Sequence, residues 1–491
     1  MSKGHVVVVG GGLGGLLAAI KLKEAGYEFT LLEKNQAVGG TWHENKYPGC
    51  SCDVPVALYQ YSFAPSLVWS RAYPVADEVE AYANELVERY QLAPSIRLGT
   101  PAKTVVWNEA SSNWTVTLET GETIDAMAVI GALGQLNKPK WPDIDGLDTF
   151  AGPLMHTARW DRSQSWEGKR VGVIGTGASA VQLVPPMAET AEHLTVFQRS
   201  PNYIIPRPDE RITAEDKALA LSNLEAAMHV GALQRQLIFD TAEQLTWKAF
   251  EWTPEGRASV TARARNHLEK TITDPQMREA LTPDYPIGCR RILICDDYYK
   301  ALVRPNVSLE TRHIQSVKED GIVLTDGRHV ALDFLVLATG FSTSDWRWSV
   351  DFQGQGGTWL HEAWADVAKA YKGISVSGFP NFFMLYGPNT NLGHNSITSM
   401  MEAQMGHIIG ALELLETEGA KALMPSQAAQ DAFNVSLQAD LKKTVWGDEA
   451  CGGSWYKTEE GYITQNWSGN VTAYRKAVGD IQKQDYEFIG A

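Results

Sequence analysis

The sequence is poor in cysteine and in positive charge. It has five cysteines in 491 residues and no C-x-x-C pair, which is too sparse for a disulfide framework and offers no dithiol redox centre. This usage fits a reducing compartment, so we expect a cytoplasmic protein. Lysine and arginine total 43 against 58 acidic residues, a formal net charge of -15. Such a chain repels polyanions, so we expect no nucleic-acid partner.

Long apolar runs are also lacking. The best candidate, residues 6–22, is interrupted by five glycines and by Lys21, so no membrane span is predicted. We expect no signal peptide either, because no small-residue cleavage pattern follows this stretch. No metal site is predicted, and the sequence leaves the oligomeric state open between monomer and homodimer.

The chain nevertheless has ample material for folded cores. Hydrophobic residues make up 44% and charged residues 21% of it, which is typical of globular proteins and not of disordered or fibrous ones. A length of 491 residues exceeds what one hydrophobic core usually serves, so we expect two or three domains.

A strand, a glycine turn and a helix open the chain. The apolar run 5–9 leads into a glycine-rich segment that includes Gly10, Gly12 and Gly15, and a helical pattern follows. A second apolar run ends at Glu33, 23 residues after Gly10. This pattern predicts a dinucleotide site, in which the turn and the helix N-terminus bind a pyrophosphate and Glu33 binds ribose hydroxyls.

The same pattern recurs later in the chain. The run 170–174 leads into Gly175-Thr-Gly177, a helix follows, and the next apolar run ends at Gln198-Arg199. Gln198 does not repel a 2′-phosphate and Arg199 can pair with one, which favours NADPH over NADH. Two dinucleotide sites imply electron transfer between two cofactors, most simply a tightly bound FAD at the first site and NADPH at the second.

The predicted fold class is α/β, with two dinucleotide-binding, Rossmann-like domains and a helical insertion in the NADP domain. The insertion is rich in Ala, Leu, Glu, Gln and Arg and has few Gly or Pro, a helical composition. We expect this insertion and residues 342–348 to form walls of the substrate pocket. The predicted boundaries are 1–147 for the first part of the FAD domain, 148–168 for a linker, 169–208 for the first part of the NADP domain, 209–285 for the insertion, 286–374 for the second part of the NADP domain, and 375–491 for the C-terminal part of the FAD domain.

Two further motifs carry a family resemblance. The run 39–42, G-G-T-W, followed by Asp53, resembles the class B flavin monooxygenases. Residues 150–161, F-A-G-P-L-M-H-T-A-R-W-D, meet every fixed position of the pattern F-x-G-x-x-x-H-x-x-x-W-P/D. With this second motif the chain resembles the Baeyer-Villiger monooxygenases, along essentially its whole length.

The resemblance implies an FAD- and NADPH-dependent monooxygenase. NADPH would reduce FAD, and the reduced flavin would react with O2 to give a C4a-peroxyflavin. The peroxide would then insert one oxygen atom next to a ketone carbonyl and form an ester or lactone, with sulfide oxygenation as a side activity. Two alternatives stay open at this point: an N- or S-oxygenating flavin monooxygenase, and a pyridine-nucleotide flavoprotein reductase without oxygenation.

The resemblance also implies roles for single residues. Arg291 carries over as the group that stabilises the peroxide, and Asp53 as the carboxylate that orients Arg291. Arg290 is a candidate for the NADP phosphate, and His156 is expected to orient the linker between the two domains. Together with the glycine turns, the expected cofactor-binding residues are Gly10, Gly12, Gly15, Glu33, Gly40, Thr41, Trp42, Asp53, Tyr59, Gly175, Thr176, Gly177, Ser179, Gln182, Arg199, Arg290, Asn391 and Trp455.

Overall fold

The computed structural model describes residues 3–251, 253–343, 346, 348–452, 454–458 and 460–490. The strands in these ranges are β1 His5–Val9, β2 Glu28–Leu32, β3 Ile96–Arg97, β4 Ala102–Asn108, β5 Asn113–Leu118, β6 Thr123–Ala126, β7 Ala128–Gly131, β8 Leu154–His156, β9 Arg170–Ile174, β10 His193–Phe197, β11 Ile204–Ile205, β12 Leu293–Ile294, β13 Val307–Glu310, β14 Ile314–Lys318, β15 Gly321–Leu324, β16 His329–Ala331, β17 Phe334–Leu337, β18 Asp351–Gln353, β19 Phe382–Met384, β20 Ala422–Pro425 and β21 Tyr486–Ile489.

The α-helices in the described ranges connect and cover these strands. In chain order they are α1 Leu13–Glu24, α2 Thr41–Glu44, α3 Ala76–Arg89, α4 Ala178–Thr190, α5 Ala214–Ser222, α6 Leu224–Thr241, α7 Pro254–Thr271, α8 Pro275–Ala280, α9 Tyr298–Leu302, α10 Leu360–Ala363, α11 Ile397–Glu418, α12 Gln427–Leu441 and α13 Val471–Gly479. Among the described residues, no helix combines the length and the apolar content that crossing a membrane requires.

Two five-stranded parallel sheets share one strand order. The first sheet runs β19-β7-β1-β2-β3 and the second β8-β17-β9-β10-β13. The valines of β1 and the interior of β9 are buried, because helices cover both faces of such a sheet and leave no polar side. Each unit also carries an antiparallel meander, β4-β5-β6 in the first and β14-β15-β16 in the second. The predicted α/β class with two Rossmann-like units is confirmed.

Two of the predicted domain boundaries are wrong. β18 lies in the range 286–374 that was assigned to the second unit, yet it pairs with β4 of the first unit. β8 lies inside the predicted linker, yet it pairs with β17 as the edge strand of the second sheet. Both strands have only three residues, too few for an apolar periodicity to reveal them in the sequence.

The helices α5 to α8 fall between β11 and β12, and the chain after α6 continues as a π-helical turn over Ala242–Thr246. Glu243 in this turn is 8% exposed. Its carboxylate accepts hydrogen bonds from His394 Nε2 at 3.1 Å and Asn395 Nδ2 at 2.8 Å. It also accepts the backbone N–H groups of Val471 and Thr472 at the start of α13, at 3.2 and 2.8 Å. One buried carboxylate therefore joins the helical segment to two parts of the C-terminal chain.

The electrostatics of this carboxylate follow from its donors. Burial opposes ionisation of Glu243, but the hydrogen bonds from His394, Thr472 and Asn395 outweigh burial and lower the pKa of the carboxyl to about 2. Burial also lowers the pKa of His394, because a charged imidazole is disfavoured away from water. A neutral histidine thus donates to an ionised glutamate.

Cysteine pairing differs from the expectation. Cys289 and Cys451, which are 162 residues apart, form a disulfide, whereas Cys50, Cys52 and Cys295 are free and buried. Burial raises the pKa of Cys50 to about 12 and also raises the pKa values of Cys52 and Cys295, which makes these thiols poor nucleophiles. The pairing was not predictable, because two cysteines so far apart in the sequence carry no spacing pattern.

We expect Glu243→Gln to lower the free energy of unfolding at pH 7 by roughly 3 kcal/mol, because an amide cannot accept four donors as a carboxylate does. The carboxyl pKa is lowered in the folded state, so this contribution is fully present above about pH 4.5 and is lost as the pH falls toward 2. Urea denaturation of the wild type and the variant at several pH values measures this contribution. Glu189→Gln, at an exposed position of α4, is the control and should change little; equal effects of the two variants would contradict the prediction.

Candidate active site

A cavity of about 1600 Å³ lies between the carboxyl ends of the two parallel sheets and is lined from both units. Ligands of open α/β sheets bind at this edge. None of the described residues from 213 to 285 lines the cavity, so the expectation that the helical insertion forms a wall is wrong. In the other expected wall, Ser342 and Thr343 line the cavity, while Ser344, Asp345 and Arg347 lie outside the described residues.

The first glycine turn allows two backbone segments to meet. Gly10 has φ +110°, and a Cβ there would lie 2.5 Å from the Ala132 carbonyl oxygen. A Cβ on Gly40 would lie 2.8 Å from the Gly12 Cα. α1 begins after Gly12 without a side-chain cap, so its first N–H groups have no side-chain partner and suit a pyrophosphate.

Glu33 closes this half of the site. Its carboxylate accepts the backbone N–H of Gly11 at 2.6 Å and that of Asn35 at 2.8 Å. The side chain is buried and lines the cavity at the end of β2, next to the glycine turn, where a ribose would be expected. The donor and acceptor set of this half therefore fits the adenosine diphosphate part of FAD.

Gly15 packs against the glycine turn itself. It is not among the residues that line the cavity, and a Cβ on it would lie 1.8 Å from the Gly10 carbonyl oxygen. The glycine is needed because α1 packs directly on the turn. Gly15 therefore supports the shape of the turn, and its contact with the cofactor stays a prediction.

The second glycine turn has the same construction but a different charge. Gly175 has φ +113°, with a Cβ position 2.4 Å from the Ala338 carbonyl oxygen, and α4 also begins without a side-chain cap. Exposed Arg199 lines the cavity beside it. Arg290 donates to Ser200 Oγ at 2.7 Å and lies 4.5 Å from the ring centre of Tyr285. Two guanidinium groups thus stand where the first turn has a carboxylate.

An ion pair joins the two units at the cavity. Arg291 Nε and Nη2 donate to the two oxygens of Asp53 at 2.6 and 2.7 Å, and both residues line the cavity. Asp53 raises the pKa of the Arg291 guanidinium, and burial opposes this only in part. The two Nη1 hydrogens of Arg291 lie outside the pair, so the guanidinium keeps donors beyond those that hold it in place.

Comparisons with known proteins agree with this geometry. A family model for pyridine nucleotide-disulphide oxidoreductases matches residues 4–233. The chain is 37% identical over 487 residues to a Baeyer-Villiger monooxygenase of Streptomyces coelicolor, covering 99% of this chain and 92% of that protein. It belongs to the Baeyer-Villiger monooxygenase family. The predicted resemblance, and with it the dependence on FAD and NADPH, is confirmed.

Solved structures of this family have the same fold. A steroid monooxygenase bound to NADP matches with a TM-score of 0.86 at 30% identity, covering 99% of this chain and all of that one. A cyclohexanone monooxygenase with bound ε-caprolactone matches with a TM-score of 0.84 at 27% identity and covers 99% of each chain.

Several residues expected from the family motifs lie around the flavin half of the cavity. Gly40, Thr41, Trp42, Tyr59 and Asn391 all line it. Trp42 Nε1 donates to the Tyr59 hydroxyl at 3.1 Å. Asn391 accepts from Tyr386 at 2.8 Å, so its amide oxygen is already engaged within the protein.

Gln182 connects the two units. Its Oε1 accepts the Tyr47 hydroxyl at 2.7 Å, and its Nε2 donates to the Ser51 carbonyl at 2.8 Å. Gln182 lies on α4 of the second unit, while its partners belong to the first. It lines the cavity together with Thr176, Gly177, Ser179 and Trp455, but both ends of its amide are used to hold the units together.

His156 does not itself line the cavity but lies behind two residues that do. It is 1% exposed in β8 and packs near Trp141 and Phe341, with ring centres 5.6 and 6.4 Å away. Burial lowers its pKa, so the imidazole is neutral near pH 7. This position agrees with an orienting role between the units.

The sequence did not point to Tyr386, Ser200 or Asn202. Tyr386 lines the cavity with φ +63°, and burial raises the pKa of its hydroxyl, which stays a neutral donor. Thr176 Oγ1 donates to the Ser200 carbonyl at 2.8 Å, and Asn202 Nδ2 donates to the Thr176 carbonyl at 2.9 Å. Ser200 and Asn202 lie just after Arg199 in the sequence, and this proximity could have identified them as site residues.

We expect Gly15→Ala to destabilise the protein by roughly 3 kcal/mol or to reduce its FAD content, since the added methyl group collides with backbone that cannot move freely. Gly231→Ala is the matched control. A Cβ on Gly231, inside α6, meets nothing within 4 Å, so this variant should be neutral or slightly more stable. Thermal unfolding and flavin absorbance measure both variants, and similar behaviour of the two would refute the account of Gly15.

We expect Arg199→Ala to raise the KM for NADPH about tenfold, the effect of losing one charge-assisted hydrogen bond of ~1.4 kcal/mol. The KM for NADH should change much less, because NADH has no 2′-phosphate. Steady-state kinetics with both nucleotides measures this. Arg304→Ala, at an exposed arginine outside the cavity lining, is the control. Equal changes in the KM values for NADPH and NADH would show that Arg199 does not bind the 2′-phosphate.

Proposed function

We propose that the substrate of this enzyme is a ketone, converted to an ester or lactone with Arg291 as the main catalytic residue. The balanced reaction is ketone + O2 + NADPH + H⁺ → ester + NADP⁺ + H2O. The observation that carries the proposal is the bidentate Arg291–Asp53 pair in the wall of a cavity that both glycine turns reach. The caprolactone complex of the cyclohexanone enzyme supports this substrate class.

When bound, FAD reduced by NADPH supplies the chemistry with O2. The role of the protein is to bind and orient the two cofactors. In our proposal the flavin half consists of Gly10, Gly12, Glu33, Gly40, Thr41, Trp42, Asp53, Tyr59 and Asn391. The NADP half consists of Gly175, Thr176, Gly177, Ser179, Gln182, Arg199, Arg290 and Trp455.

Arg291 stabilises negative charge on oxygen during the insertion. A guanidinium suits this role because it keeps its proton at every working pH, and fixed donors in a site shielded from water stabilise developing charge strongly. Asp53 acts through Arg291. It occupies Nε and Nη2 and thereby fixes the direction of Nη1, and its own negative charge limits how tightly the guanidinium holds an anion.

The tyrosines near the pair stay protonated. Burial raises the pKa values of Tyr59, Tyr386 and Tyr456, the last to about 12, although Arg291 acts in the opposite direction on Tyr386 and Tyr456. These hydroxyls therefore keep their protons at neutral pH. Arg291 would therefore face no competing phenolate.

Sulfide oxygenation is a side activity, since a sulfide would enter the same cavity and need no group beyond those that serve the ketone. The protein works in the cytoplasm. Three of the five cysteines remain thiols, which supports a reducing compartment. The Cys289–Cys451 disulfide is the exception, and its burial shields it from reductants.

We expect Arg291→Ala to lower ester formation by about 100- to 1000-fold, the usual cost of removing a donor that stabilises developing oxyanion charge. Arg291→Lys should recover little of it, because an ammonium cannot form the bidentate pair with Asp53. NADPH consumption, ester formation and released hydrogen peroxide are measured in parallel on a panel of linear and cyclic ketones. FAD content and NADP⁺ binding are checked in each variant.

The controls separate the competing functions. Arg304→Ala should match the wild type in every readout. A wild-type enzyme that converts sulfides or amines but no ketone would be a heteroatom oxygenase. One that only consumes NADPH and releases peroxide with every compound would be a reductase, and either result refutes the proposed substrate.

A further inference from the structure

The one disulfide among the described residues joins two segments that line the cavity. Cys289 directly precedes Arg290 and Arg291 in the sequence, and both arginines line the cavity. Cys451 directly precedes a second segment of the wall. The described members of that segment that line the cavity are Gly452, Ser454, Trp455, Lys457, Thr458 and Glu460.

We propose that the Cys289–Cys451 disulfide is a positioning element of the active site, which holds the arginine segment and the 452–460 segment against each other. The inference rests on the proposed function, because it takes these two segments as walls of the NADP half. The two cysteines are 1% and 2% exposed, so the disulfide lies within the packed wall itself.

Few other interactions hold the two segments together. Ser454 Oγ donates to the Cys289 carbonyl at 2.8 Å, and Trp446 Nε1 donates to the Gly288 carbonyl at 3.0 Å. The chain around Cys451 forms only short 3-10 turns, Val445–Gly447 and Glu449–Cys451. These turns bond mostly within themselves, since the N–H of Cys451 donates to the Asp448 carbonyl at 3.1 Å and the N–H of Gly452 to the Glu449 carbonyl at 3.2 Å. Such bonds do not hold the turns against the arginine segment, and a covalent link is the strongest restraint between the two.

The arginine segment is held firmly on its other side. Arg291 pairs with Asp53, and Arg290 donates to Ser200 at 2.7 Å. The disulfide extends this fixed unit to the 452–460 segment. That segment is bonded to the chain after it, since the N–H of Thr464 donates to the Tyr456 carbonyl at 3.1 Å and the N–H of Thr458 to the Tyr462 carbonyl at 2.8 Å, but it reaches the arginine segment through Ser454. Without the disulfide, the wall that contains Trp455 and Lys457 would lose its alignment with Arg290, while the FAD half would keep all of its own contacts.

Cys451→Ser is the direct test, because Cys451 itself does not line the cavity. We expect the Kd for NADP⁺ and the KM for NADPH to rise about tenfold, with a larger share of NADPH consumption ending as hydrogen peroxide. FAD content should not change. The control is Cys295→Ser, which removes a buried thiol outside the disulfide and should match the wild type.

The double variant Cys289→Ser/Cys451→Ser separates the disulfide from local packing. If the link is the cause, the double variant has the same NADP⁺ affinity as either single variant, since one link can be lost only once. If the effects of the single variants add, the two side chains act separately and the proposal is wrong. It is equally wrong if all the variants bind NADP⁺ and release peroxide as the wild type does.

Counting free thiols tests for the disulfide without an activity assay. Denatured wild type without reductant should show three free thiols, and all five after a phosphine has reduced the disulfide. In that step the S–S bond breaks, water supplies the two thiol protons and its oxygen, and the phosphine is oxidised to the phosphine oxide. Five thiols before reduction would overturn the proposal.

The role of the disulfide can be tested even if the variants do not fold or the proposed function is wrong. If the variants fail to fold, wild type with the disulfide reduced replaces them in the binding assay. Neither the NADP⁺ affinity nor the thiol count needs a ketone, so a failure of the proposed function would leave this test intact.

Discussion

The Arg291–Asp53 ion pair is the interaction on which the active site depends. Each partner belongs to a different nucleotide-binding unit, so the pair fixes both the distance between the units and the place where positive charge faces the cavity. Gln182 makes a second link of the same kind through neutral hydrogen bonds to Tyr47 and Ser51. The side chains of the Arg291–Asp53 pair are only partly buried, at 33% and 24% exposed, and ion pairs open to water contribute little to stability, so the value of this one lies in orientation.

The two glycine turns show how one backbone design serves two cofactors. Both begin at the end of a central strand, both place a positive φ where a carbonyl of the neighbouring loop approaches, and both lead into a helix with no side-chain cap. The difference comes from the residues beyond the second strand. Glu33 turns inward and accepts backbone N–H groups, whereas Gln198 is followed by the exposed Arg199. In our proposal the geometry provides the phosphate site, and the charge decides which nucleotide suits it.

The sequence predicted these features because they are local. A strand, a turn and a helix within 30 residues leave a clear pattern, and β9 has the bounds that its apolar run indicated. Features that depend on distant residues were not predictable. Glu243 looks like any acid in a helical stretch until His394 and the start of α13 are placed beside it, and Cys289 and Cys451 are ordinary cysteines until the chain has folded. The three-residue strands β8 and β18 are also invisible, because their pairing depends on a sheet that other residues build.

The chain order of the two sheets has a consequence for synthesis on the ribosome. All strands of the second sheet lie between residues 154 and 337, so this unit has its full sheet long before the chain is finished. The first sheet begins at residue 5 but lacks its edge strand until β19, Phe382–Met384, has emerged. Domains fold as units during synthesis. The N-terminal unit is therefore the later of the two to complete, and the first glycine turn exists for most of translation in a sheet that still has an open edge.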